Sequence, residues 1–100
     1  MHEVNFLIRR LKPDGTQYGW ALVNRDGNFE SYAYGPDLSG LAAECRREGM
    51  FFKKGDALTT IGQKTTIEMG EYRDAPAAAE DMDAFFAELK KSGVYREQAA

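Results

Sequence analysis

The chain has 100 residues, 43% of them hydrophobic and 29% charged, with 13 Lys+Arg against 16 Asp+Glu and a net charge of −3. These are ordinary globular proportions, which exclude a disordered chain. A single Cys excludes an internal disulfide framework, and one Cys with one His cannot supply a zinc site built from those two residue types. The length fits a single domain over 1–100, with 94–100 read as a frayed tail.

Val4, Phe6 and Ile8 alternate with Asn5, Leu7 and Arg9, the period of two that marks a strand. Pro13-Asp14-Gly15-Thr16 supplies turn chemistry, and a second apolar run covers 18–24. Asp26-Gly27 predicts a two-residue hairpin loop of type I′, followed by a third strand over 28–34 that Gly35-Pro36 closes. Leu38, Leu41, Ala42 and Cys45 then recur at helical spacing, with Asp37 or Ser39 as cap and Gly49 as stop. Phe51-Phe52 leads through a turn at 53–56 into strands over 57–61 and 65–72, joined by Gly62-Gln63. A second helix is predicted from about Asp74-Ala75-Pro76, with Pro in its first turn and Met82, Phe85, Phe86 and Leu89 as its buried stripe. The fold class expected is α+β: a three-stranded antiparallel meander, a helix, a β-hairpin and a C-terminal amphipathic helix, βββ-α-ββ-α.

Counting outward from two-residue loops predicts the register. Leu22 faces Ser31, Trp20 faces Ala33, Ala21 faces Tyr32 and Val23 faces Glu30; across the later hairpin, Leu58 faces Ile67 and Thr60 faces Thr65. Leu7, Leu11, Trp20, Leu22 and Phe29 then share one face of the meander, and Phe6, Ile8, Ala21, Val23, Tyr32 and Tyr34 the other. Both faces are apolar, whereas a small antiparallel sheet commonly leaves one polar. Two helices are available to cover them.

Catalytic chemistry finds little support. His2 sits beside a terminus and lacks the fixed position a general base needs. Cys45 falls on the apolar stripe of its helix, the place of an inert buried thiol. Gly62-Gln63-Lys64-Thr65 is not a phosphate-binding loop, because Gln63 separates Gly from Lys and a strand follows. Asp81 and Asp83 are two apart and so do not share a helix face, and Glu68 and Glu71 have no ligand set around them. The expectation is a chain without catalytic residues, cofactor or metal.

Two resemblances bear on function. The run Phe52-Lys53-Lys54-Gly55-Asp56-Ala57-Leu58, with Lys64 and Glu68, resembles part of a lipoyl or biotinyl carrier domain. That likeness implies a modifiable lysine at Lys64. It covers fewer than twenty residues, and two helices have no place in the carrier's β-sandwich. The predicted three-stranded sheet on a helix is similar in architecture to the arm-type DNA-binding domain of some tyrosine integrases. It implies nucleic-acid binding through the sheet with Arg9, Arg10 and Lys12.

Charge argues against the second implication as the main role. Residues 1–64 carry nine Lys/Arg and eight Asp/Glu, and residues 65–100 carry four against eight, so no strongly basic surface is encoded. No apolar run is long enough to span a bilayer and the N-terminus lacks a secretory pattern, so a cytoplasmic protein without membrane contact is expected. The function expected is a small non-enzymatic protein-binding module, a regulator or inhibitor of the kind phages and mobile elements carry, and a homodimer. Its partner, another protein, would meet Arg9, Arg10, Tyr32 and Tyr34, with acidic Glu80, Asp81 and Asp83 as a second surface. Nucleic-acid binding is the alternative, and a small enzyme or carrier domain the minor one.

Overall fold

The computed structural model of the chain describes residues 4–53, 60–62, 67–69 and 72–96. The fold is α+β. Its elements run β1 (Val4–Leu11), β2 (Gln17–Asn24), β3 (Phe29–Tyr34), α1 (Leu38–Arg47), β4 (Phe52–Lys53), β5 (Thr60–Gly62), β6 (Ile67–Met69), β7 (Tyr72–Pro76), α2 (Ala79–Lys91) and β8 (Tyr95–Arg96). The main sheet has the order β3-β2-β1-β7-β6, and β5 pairs in parallel with Val4–Phe6 of β1. A separate pair joins β4 to β8.

Both hairpins of the meander are built alike, and neither uses the two-residue loop the sequence predicts. Lys12 N–H donates to Thr16 O and Gly15 N–H to Lys12 O; Asn24 N–H donates to Asn28 O and Gly27 N–H to Asn24 O. Each loop is therefore three residues, a type I turn closed by a left-handed glycine, with φ of 89° at Gly15 and 86° at Gly27. A type I′ turn would need positive φ at Asp14 and Asp26, and no described non-glycine residue has it. Asn24 reinforces its turn, its Oδ1 accepting from the N–H groups of Asp26 and Asn28 at 3.0 Å each.

Further from each turn, a β-bulge takes up the extra residue. Leu11 pairs with Gln17 but Arg10 with Gly19, which leaves Tyr18 as the bulge. Val23 pairs with Phe29 but Leu22 with Ser31, which leaves Glu30. Loop and bulge cancel, so the Trp20–Ala33, Ala21–Tyr32 and Leu22–Ser31 pairs stand as predicted. Near the turn they do not: Val23 faces Phe29 rather than Glu30, and Phe29 moves to the face of Val23. Gly19 follows the first bulge, where β2 and β3 come so close that a Cβ would lie 2.5 Å from the Ala33 carbonyl oxygen.

Both helices lie on one face. Leu7, Trp20 and Leu22 of the sheet meet Leu41, Ala42 and Cys45 of α1 and Phe85 and Leu89 of α2, with Phe52 and Val94 completing the cluster. Ile8, Ala21 and Val23, all fully buried, form a second cluster on the other face with Phe6 and Phe29 packed against it. Trp20 donates its Nε1–H to Pro36 O at 3.0 Å, which satisfies the indole inside the core.

Helix α1 begins at Asp37 without a side-chain cap bond. It ends in a Schellman motif, in which Gly49 N–H donates to Arg46 O and Met50 N–H to Cys45 O. Helix α2 starts five residues later than Asp74. Asp74, Ala75 and Pro76 belong to β7 instead, because Ile8–Pro76 and Arg9–Ala75 pairing with β1 takes up that segment. Asp81 steadies the new start, its Oδ2 accepting from Ala78 N–H at 3.1 Å. A second Schellman motif at Gly93 turns the chain back, burying Val94 and leading Tyr95 into β8. Within the predicted strand over 65–72, Ile67–Met69 is β6 and Tyr72 opens β7, which pairs antiparallel with it, and Gly62 is the last residue of β5 rather than a turn residue. The Leu58–Ile67 and Thr60–Thr65 pairings, His2, Lys64 and residues 97–100 fall outside the described residues.

Candidate functional site

Each bulge carries an aromatic ring across the sheet. Alternation from Trp20 through a regular strand would leave Tyr18 on the helix side; as a bulge residue it turns to the other side. The slip at Glu30 does the same for Phe29. These two rings join Tyr32 and Tyr34 around the side chain of Arg10.

The Arg10 guanidinium carbon lies 4.5 Å from the Phe29 ring centre, 5.2 Å from Tyr18, 5.4 Å from Tyr32 and 5.9 Å from Tyr34. All four are within cation–π range, where a contact is worth ~0.5–2 kcal/mol depending on desolvation. The rings also brace one another. Tyr18 and Tyr34 stack at 5.9 Å, Tyr32 meets Tyr34 edge-on at 5.8 Å, and Phe29 tilts against Tyr32 at 6.2 Å. Tyr32 and Tyr34 remain 47% and 69% exposed. The result is a prearranged aromatic surface with a cation at its centre.

Asp74 stands behind that cation. The register of β1 with β7 sets it beside Arg10, and it is almost wholly buried. Its Oδ1 accepts from Leu11 N–H at 3.2 Å, serving a strand amide beyond the last β1–β7 pair. Burial pushes its carboxyl above the ordinary value, against the opposing pull of the Leu11 bond and the Arg10 charge. The Arg10 Nε is buried and has no hydrogen-bond acceptor among the described residues.

Of the residues predicted for binding, Arg10, Tyr32 and Tyr34 come together here. Arg9 does not: it alternates to the helix side, where its Nε donates to Pro76 O at 3.3 Å. Lys12 sits in the first turn, at the far end of the meander from the second turn and Arg25, so the basic side chains form no patch. Glu80, Asp81 and Asp83 lie at the start of α2, on the helix layer, and Asp81 is engaged with Ala78. Tyr18, Phe29 and Asp74 were not singled out from sequence. The signal for the two rings was present, since Lys12-Pro13-Asp14-Gly15 and Asn24-Arg25-Asp26-Gly27 both carry type I turn preferences, with Pro second or Asn first and Gly last.

Cys45 is buried in the main core, where burial pushes its thiol up to about 12. A thiol-specific reagent at pH 8 is therefore expected to leave native protein unlabelled and to react stoichiometrically once urea unfolds it. Rapid native labelling would show that α1 opens readily. Among the described residues no group of His, Cys, Asp and Glu is placed to hold a metal ion. Among them, too, no helix is long and apolar enough to cross a membrane. No protein-family model matches the chain, and no curated protein or solved structure matches it.

Proposed function

We propose that the chain is a small non-enzymatic binding module that docks on another protein through the aromatic surface around Arg10, acting as a regulator or inhibitor in the cytoplasm. The observation that carries this reading is the exposure of Tyr32 and Tyr34 on a surface already held in place by Tyr18, Phe29 and Arg10. Tyr and Arg are the side chains that most often dominate interface energy. Rings fixed before contact lose less freedom on binding than mobile ones.

Exposed rings on a sheet are also what a single-stranded nucleic acid stacks on, which makes that the second reading. Its weakness is electrostatic. Arg10 is enclosed by rings beside Asp74, Arg9 lies on the other layer, and Lys12 and Arg25 are far apart, so few cations are left for phosphates.

The test is affinity capture with the tagged chain from its host lysate, with and without nuclease, beside a Tyr32→Ser/Tyr34→Ser variant. The expected result is one protein captured regardless of nuclease and lost with the variant. Loss of two such anchors costs about 2 kcal/mol or more, roughly 30-fold in affinity, and capture should fall accordingly. The variant should stay folded, its melting temperature lowered by several degrees through the lost ring contacts with Arg10, because both side chains are part-exposed and lie outside the main core. Capture that survives the double substitution places the contact elsewhere, and capture abolished by nuclease selects the second reading.

A further inference from the structure

We propose that β3 is the seam of a two-fold dimer, pairing antiparallel with β3 of a second copy so that one sheet runs through both. Among the described residues, β3 ends the sheet and pairs only with β2. Gly35 N–H donates to Tyr18 O at 3.0 Å, which fixes the hydrogen-bonded rungs of an antiparallel pair. Rungs alternate, so Ala33 and Ser31 bond to β2, and the N–H and C=O groups of Tyr32 and Tyr34 point away from it. They open onto a groove of about 530 Å³ between β3 and the Gly40, Glu44, Arg47 and Glu48 side of α1.

Three features of this edge favour a copy of itself. A two-fold axis at Ala33 sets Tyr32 opposite the second copy's Tyr34, and Tyr34 opposite its Tyr32. That register closes four main-chain hydrogen bonds with one repeated dipeptide geometry, as an isologous contact requires. The groove wall at the axis is small: Ala33 and Gly40 leave space where a larger side chain would block a second strand. The rim is mixed in charge, Glu44 binding Arg47 of its own helix with Glu48 beside them, so it carries no strong single sign against a second copy. Sheet edges are usually guarded by charge, Pro or a bulge. Here Glu30 with its bulge and Pro36 lie outside the stretch between Ser31 and Gly35, which carries neither. The pairing lies in the plane of the sheet and sets each Tyr32 ring beside the second copy's Tyr34 ring, joining two aromatic surfaces edge to edge, and it rests on the strand edge rather than on the binding reading above.

The test combines sedimentation velocity of the full chain over a wide concentration range with residue-resolved amide hydrogen exchange at both ends of that range. The expected result is a monomer–dimer equilibrium in which the Tyr32 and Tyr34 amides exchange at least tenfold more slowly in concentrated than in dilute protein, while Ala33 is protected in both. Tyr34→Pro removes the outward N–H together with the ring and should yield a folded monomer, whereas Tyr34→Ala, which loses the same ring but keeps the N–H, should still dimerise. A chain monomeric at every concentration overturns the proposal. So does a dimer whose Tyr32 and Tyr34 amides stay unprotected, or one that persists in a folded Tyr34→Pro variant. Should that variant not fold, the exchange data on the wild type decide alone. A monomer that still captures its partner through the rings ends the dimer and leaves the binding reading intact; a dimer that captures nothing does the reverse. Amide protection that appears only when another protein is added assigns the edge to that protein and overturns the second copy.

Discussion

Phe85→Ala is expected to lower the free energy of unfolding by about 3–5 kcal/mol, the range for emptying a buried aromatic site. Phe85 is fully buried where α2 meets the sheet and α1, and Leu89 is the only other fully buried residue of that helix. The helix cannot shift to fill the space, because the Gly93 turn and the β4–β8 pair fix its end. Domains of this size have only ~5–15 kcal/mol to lose. The melting midpoint should therefore fall by at least roughly 12 °C, since each kcal/mol moves it by ~4–8 °C. Thermal denaturation followed by far-ultraviolet circular dichroism reads this directly. A drop of only a few degrees would mean that α2 contributes little to the cooperative unit.

Asp74 has the second largest expected effect, and its sign changes with the replacement. Its carboxyl is held above the ordinary 3.8 by burial, net of the help from Leu11 and Arg10. The folded chain therefore binds a proton at a pH where the unfolded chain has released it. Stability contributed by this group falls as pH rises from 3.8 through the raised value, and the penalty is complete above it. Asp74→Asn keeps an acceptor for the Leu11 N–H and removes the ionisation. Its stability relative to the wild type should be greater at pH 7 than at pH 4. Asp74→Ala leaves the Leu11 N–H without its acceptor and should fall below Asp74→Asn by about 1–3 kcal/mol. Urea titrations of the three proteins at both pH values check it. A wild type-to-Asn difference that does not change with pH would show that the carboxyl titrates normally in the fold.

Much of the architecture was legible because it rests on periodicity and stop signals. The alternation of Val4, Phe6 and Ile8, the stripe of Leu41, Ala42 and Cys45, and the glycines at 49 and 93 each named an element or its end. What failed did so for local reasons. Asp-Gly serves both a type I′ loop and the end of a three-residue loop, and the bulges that compensate depend on cross-strand geometry. The start of α2 was misplaced because Pro76 fits a first helical turn as well as a strand end, and only pairing with β1 decides between them. Arg10, Tyr32 and Tyr34 could be put on one face by counting. Arg9 was grouped with them by sequence adjacency, although neighbouring residues on a strand point to opposite sides. Asp74 was hidden inside the misread helix start.

The paired loop and bulge of each hairpin also govern how this meander tolerates insertion and deletion. Removing two residues from the second turn would leave a two-residue loop without a bulge, set Glu30 opposite Val23, and keep the Trp20–Ala33 and Leu22–Ser31 pairs and the core beneath them. Phe29 would swing to the helix side, and Arg10 would lose its nearest ring. The same double deletion in the first hairpin would take Tyr18 away. Length changes at these turns can thus dismantle the aromatic surface while sparing the fold, so the two properties of this chain are open to separate variation.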